Sequence, residues 1–195
     1  TKIKIGIDLD NTIINYENSF KKFLFEKKIF LKKTNKSKIK KFIDNDPKIE
    51  SWTKAQEEIY GCYIKFANLF KNYKYFENFA LRNNCKLYII SHKTKLSQYS
   101  KKYNLRKVAN NWLKKNIKKE NYKVFYSNTV DEKIKIISKI KPKYYIDDLI
   151  EILENKKIPK EINKIFFSNF LSKNTLTLNN WRKIKNYIAE NENFK

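Results

Sequence analysis

A chain of 195 residues, 41% of them apolar, can build one α/β domain with its own core and a modest insertion, and two full domains would be cramped. Its 44 Lys and Arg against 20 Asp and Glu leave a formal charge of +24, which exerts an attractive field on phosphorylated partners. Only Arg82, Arg106 and Arg182 are arginines, however, and the lysines run the whole length among many Asn and Ile, so the charge reads first as a lysine-solvated surface set by AT-rich codons.

No run of 18 apolar residues is present, which excludes a membrane-spanning helix of ordinary length. Cys62 and Cys85 lie far apart without the paired spacing of a zinc or redox site. Reduced thiols and a cytoplasmic location are therefore expected.

In chain order, the apolar run Ile3 to Asp8 predicts a buried first strand. From about Tyr16 to Lys74 the pattern is helical, with Phe20, Phe23 and Leu24 opening one helix and Asp46-Pro47 reading as an N-cap followed by proline at the first helical position. A longer stripe then runs through Trp52, Ile59, Tyr63, Phe66 and Phe70, and these aromatics read as packing between helices of an inserted cap. Further strands are predicted at Lys86 to Ser91, Lys123 to Tyr126, Tyr144 to Asp147 and Lys164 to Ser168. Helical patterns over Tyr99 to Lys115, Asp131 to Ile140 and Asn180 to Ala189 separate or follow them. The acidic, Asn-rich end from Glu190 to Lys195 is expected to fray.

Alternation of strands and helices predicts a three-layer, Rossmann-like α/β core around a parallel sheet of about five strands, with right-handed crossovers. The core is expected to take residues 1–15 plus 81–195, and a helical cap, placed where a lid over the first strand's end would sit, residues 16–80.

Four chemical elements fall at the ends of successive strand or helix candidates. Asp8-Leu9-Asp10-Asn11-Thr12 leaves the first strand, and alternation aims Asp8 and Asp10 at one small volume. Such a pair can divide its work, one carboxylate as nucleophile and metal ligand, the other as general acid and base. Ser91 ends the strand Leu87-Tyr88-Ile89-Ile90, Lys133 stands near a helix start with Lys135 and Lys139 close by, and Asp147-Asp148 ends Tyr144-Tyr145-Ile146. A parallel sheet would gather all four at one edge. His92, the lone histidine, follows Ser91 and reads as a substrate contact or an ordinary loop residue, and Lys93 and Lys95 share its loop.

On these motifs the chain resembles the haloacid dehalogenase-like (HAD) superfamily, over about Lys2 to Asn15 and Leu81 to Ser168. The resemblance implies a phosphatase in which Asp8 attacks phosphorus to give an aspartyl-phosphate, while Asp10 protonates the leaving oxygen and then activates water. It implies that Ser91 and Lys133 hold the phosphate; it requires no histidine, so His92 is a candidate substrate contact only by its place after Ser91. It also implies Mg²⁺ held by Asp8, the main-chain carbonyl of Asp10 and the acidic pair, with Asp148 as the direct ligand and Asp147 in support. The second Asp of the first motif favours phosphoryl transfer over carbon-halogen cleavage.

The segment from Ser91 through Trp112 to Asp147-Asp148 is more loosely similar to the 5'(3')-deoxyribonucleotidase-like branch. The expected partner is thus a small phosphorylated metabolite, a nucleotide or sugar phosphate, with Tyr16, Phe20, Trp52 and Tyr60 as candidates for stacking on it. A phosphatase acting on nucleic-acid ends, or a basic binding protein without turnover on the same fold, are the alternatives.

Overall fold

The computed structural model describes residues 2–29, 51–118 and 122–194. The strands are β1 (Ile3–Ile7), β2 (Ile14–Asn15), β3 (Asn68–Leu69), β4 (Cys85–His92), β5 (Tyr122–Ser127), β6 (Tyr144–Asp147), β7 (Asn163–Phe166) and β8 (Leu176–Thr177). The helices are α1 (Glu17–Glu26), α2 (Trp52–Tyr60), α3 (Tyr73–Arg82), α4 (Leu105–Asn116), α5 (Val130–Ile140), α6 (Ile150–Leu153) and α7 (Trp181–Asn191), with a 3-10 turn at Cys62–Phe66. Among the described residues, no helix is long and apolar enough to cross a membrane.

The main sheet is parallel, in the order β5-β4-β1-β6-β7-β8. It holds six strands where periodicity predicts five, because β8 is only two residues long and too short to show an alternation. The layering follows from the pleat, since neighbouring residues of a strand point to opposite faces. Tyr145 packs with Ile134 and Ile137 of α5, whereas Tyr144 turns its ring edge to Tyr187 of α7. Helices therefore cover both faces, as a parallel sheet requires.

The α7 side is largely aromatic. Trp181 lies 4.9 Å from the Tyr73 ring and 4.7 Å from Phe76, both on α3, which ties that helix to the sheet unit. The C-terminal end is also fastened: Glu192 accepts hydrogen bonds from Lys143 at 2.7 Å and from the Tyr144 hydroxyl, and Phe194 meets Phe79 edge to face. The expected fraying gives way to these bonds over 190–194.

By compactness the chain divides into residues 1–14, 69–92 and 117–195, and a second unit of 15–68 and 93–116. In this division α3, which packs on α7, falls in the first unit, and α4 falls in the second. Within that unit the Trp112 indole of α4 donates to the Ala67 carbonyl at 3.2 Å, and Ser19 donates to the Tyr63 carbonyl at 2.8 Å. Tyr99 and Tyr103, expected on a helix, precede α4 in a loop that buried Glu57 holds through the Ser100 amide at 2.7 Å and the Ser100 hydroxyl. The stripe from Trp52 to Phe70 is interrupted after Tyr60 by Gly61 and the 3-10 turn. The Asp46-Pro47 cap lies outside the described residues.

Candidate active site

Strands β4, β1 and β6 run side by side, and β1 is where the chain reverses its direction of travel across the sheet, the position at which open α/β sheets bind ligands. Ile7 pairs with Ile89 on one side and Ile146 on the other. Asp8 therefore sits one step past that level, Asp147 one step and Ser91 two, all at the carboxyl edge. The Asp8 amide donates to the Ile146 carbonyl at 2.9 Å, so the ladder continues through the first carboxylate.

Beyond Asp8 the chain turns sharply. Leu9 accepts from the Ile13 and Ile14 amides at 3.0 and 2.9 Å, and Asn11 takes the left-handed conformation (φ 62°) that asparagine tolerates better than most side chains. The Trp181 indole pins this turn by donating to the Thr12 carbonyl at 3.1 Å. Asp10, half-buried, bridges to Ile14 within it.

Lys133 comes from the opposite direction, in the first turn of α5, whose N-terminus is capped by Thr129 accepting from the Glu132 amide at 3.1 Å. Its Nζ donates to Asp8 Oδ1 at 2.6 Å and to Asp147 Oδ2 at 2.7 Å, and all three side chains are buried. Of the lysines the sequence offers on this helix, Lys133 is the one that reaches the carboxylates. Asp147 is bound on both oxygens: Oδ2 also accepts from the Tyr145 hydroxyl at 2.7 Å, and Oδ1 accepts from the Leu149 amide at 2.9 Å. Asp148 is half-buried, and it can place a carboxylate oxygen so that those of Asp8, Asp147 and Asp148 all lie within 4.8 Å of one another.

Electrostatics follow from this crowding. Burial pushes the Asp8 carboxyl up to about 7; the Lys133 charge opposes this, while Asp147 and Asp10 add to it. Burial alone would discharge Lys133, but Asp147 and Asp8 outweigh it and hold the ammonium above its ordinary range. Asp8 and Asp147 share the Lys133 ammonium, and Asp148 brings a third carboxylate into the same group. An all-oxygen donor set of this kind fits a hard divalent cation.

Ser91 is buried at the end of β4, next to β5 through the Ser127 hydroxyl, which donates to its carbonyl at 3.5 Å. His92, the last residue of β4, is exposed, with Nε2 3.0 Å from the carbonyl of Asn128, which follows the neighbouring strand β5. Tyr145 is the residue that sequence reasoning missed: within an apolar strand a tyrosine two positions before Asp147 reads as packing, and only its same-face alternation with Asp147 hints at the hydrogen bond.

In the helical unit, Tyr16 and Phe20 are buried, Tyr16 edge-on to Tyr60 at 4.6 Å and Phe20 stacked on Trp52 at 5.9 Å. Two of the four stacking candidates are thus packing residues, which leaves the half-buried Trp52 and Tyr60. The buried Lys93 stands over the Tyr60 ring at 5.2 Å, and the Arg106 Nε donates to its carbonyl at 2.8 Å.

No family model matches the sequence, and no curated protein matches it. Solved structures do match over nearly their whole lengths. A haloacid dehalogenase-like hydrolase from Streptococcus pneumoniae aligns at 16% identity and TM-score 0.57, covering 96% of this chain and 98% of that one. A HAD-hydrolase from Bacillus subtilis, bound to magnesium, aligns at 9% identity and TM-score 0.60, with 96% and 98% covered. A HAD phosphatase from Thermococcus onnurineus aligns at 10% identity and TM-score 0.51, again with 96% and 98% covered. At these identities the likeness is one of architecture, and by it the chain has the fold of the HAD-superfamily hydrolases.

Proposed function

We propose that the protein is a Mg²⁺-dependent phosphomonoester hydrolase that works through an aspartyl-phosphate on Asp8 and acts on a small phosphorylated metabolite, a nucleotide or sugar phosphate. The observation that carries this reading is the buried bridge from Lys133 to both Asp8 and Asp147 at the carboxyl edge of the sheet. A carboxylate held against a fixed ammonium beside two further carboxylates suits attack on an anionic phosphorus centre better than a structural role. The neighbours named above are described as hydrolases and a phosphatase, and one of them holds magnesium.

In this mechanism Asp8 Oδ attacks phosphorus and the ester P–O bond breaks, with the proton for the leaving oxygen coming from Asp10. Lys133 neutralises charge on Asp8 and on the transferring group, and the Ser91 hydroxyl donates to a phosphoryl oxygen. Water then attacks the aspartyl-phosphate, gives its proton to Asp10 and releases inorganic phosphate. Burial works against an ionised Asp8, so Lys133 is essential to keep the nucleophile an anion. Mg²⁺ held by Asp8, the Asp10 carbonyl and Asp148 would supply further positive charge at the phosphoryl oxygens. Asp147, whose two oxygens are committed to Lys133, Tyr145 and Leu149, supports the site from behind.

The test is a screen of nucleotides, sugar phosphates and 3'-phosphorylated oligonucleotides, each with Mg²⁺ and with EDTA. Turnover of small monoesters that EDTA abolishes is expected. Turnover confined to oligonucleotides, with a steep salt dependence, would replace this reading by a nucleic-acid end phosphatase. Turnover of none would leave a binding protein on this fold.

A further inference from the structure

Asp147 is held by more than Lys133, and its second holder depends on an unusual feature of β1. In the parallel register Gly6 lies directly opposite Tyr145. A Cβ at position 6 would come within 2.7 Å of Tyr145 Cδ2, closer than real Cβ atoms approach another carbon, and within a tight 3.0 Å of Pro142 Cγ. The tyrosine ring therefore lies across β1 in the space that glycine leaves, and it has little room elsewhere, since Ile134 and Ile137 of α5 pack with it in the same buried cluster. From there its hydroxyl donates to Asp147 Oδ2 at 2.7 Å, the same oxygen that accepts from Lys133.

Two donors on one oxygen and the Leu149 amide on the other leave Asp147 a single orientation. A carboxylate fixed in this way fixes the ammonium in turn, and the ammonium faces Asp8 at 2.6 Å. We propose that Tyr145 is a positioning residue of the site: its phenol, admitted by Gly6, locks Asp147 as the holder of Lys133 and so sets the ammonium against Asp8. This rests on the phosphatase reading for its catalytic consequence but not for its geometry, and the two are separable by experiment.

Tyr145→Phe removes the hydroxyl and keeps the ring. It leaves Asp147 Oδ2 bonded to Lys133, so the fold should persist and the melting temperature should stay close to that of the unaltered protein. In that variant kcat on a small phosphomonoester should fall roughly tenfold with little change in KM, the scale of one hydrogen bond to a charged group. Gly6→Ala, which displaces the ring instead, should lower kcat in the same sense.

The second readout needs no activity. In the unaltered protein the Lys133 ammonium protons should be resolved by ¹H–¹⁵N NMR in slow exchange. The Tyr145 hydroxyl proton should likewise be protected, and should show a nuclear Overhauser effect to the Lys133 ε-methylene. In Tyr145→Phe the Lys133 exchange should quicken. A phenol proton in fast exchange in the unaltered protein, or a Tyr145→Phe protein whose Lys133 signals and kcat are both unchanged, overturns the proposal. Protected Tyr145 and Lys133 protons in a protein without turnover would sink the phosphatase reading and leave the positioning intact.

Discussion

Asp8 carries the sharpest consequences of any single residue. Its carboxyl titrates near 7 in the fold against an ordinary 3.8, because burial outweighs the Lys133 charge. The unfolded chain therefore gives up this proton first as pH rises, the folded state binds more protons in between, and Asp8 costs stability progressively from about pH 4 to about 7. Asp8→Asn cannot ionise, so in EDTA its melting temperature should change less between pH 5 and pH 8 than that of the unaltered protein. Thermal melts at the two pH values check this, and identical slopes would contradict it. Lys133→Met should act in the other direction. It strands buried Asp8 and Asp147 without their cation, and a denaturant melt near pH 8 should show a loss of about 3–5 kcal/mol together with loss of turnover.

At the scale of elements, the turn after β1 is held from a distance by α7. Trp181→Phe keeps most of the aromatic cluster but leaves the Thr12 carbonyl without the indole donor, at a cost of about 1–3 kcal/mol. Because Asp10 rides on that turn, kcat should fall more than the loss of stability alone accounts for, which a comparison of turnover and melts at a temperature where both proteins are folded measures. The longer strands, with Asp8, Ser91 and Asp147 at their carboxyl ends, were legible in the sequence because their cause is local: alternation, a buried apolar run, and polar residues at its end. The pairs β2 with β3 and β7 with β8 were not, since two-residue strands carry no period. Nor was the place of α4, which is decided by where Trp112 finds the Ala67 carbonyl, 45 positions away in the chain. Tyr145 was hidden for a related reason, its hydroxyl being meaningful only once Lys133 arrives from α5.

For the molecule as a whole, the six-stranded parallel sheet puts the ends of β4, β1 and β6 together, and chemistry scattered from Asp8 to Asp148 becomes one cluster. On the small-substrate reading proposed above, the charge of +24 has a modest role. For a small substrate, raising salt should weaken capture through screening and raise KM only a few-fold, without the many-decade loss that a nucleic-acid track would show. A salt series of KM at fixed Mg²⁺ reads this directly. The central claim is that Asp8 attacks phosphorus, and it is tested most directly by turnover of a generic phosphomonoester by the unaltered protein and by Asp8→Asn, side by side with Mg²⁺. Robust turnover by the first and none above background by the second is the predicted result, and turnover that survives in Asp8→Asn would contradict the account.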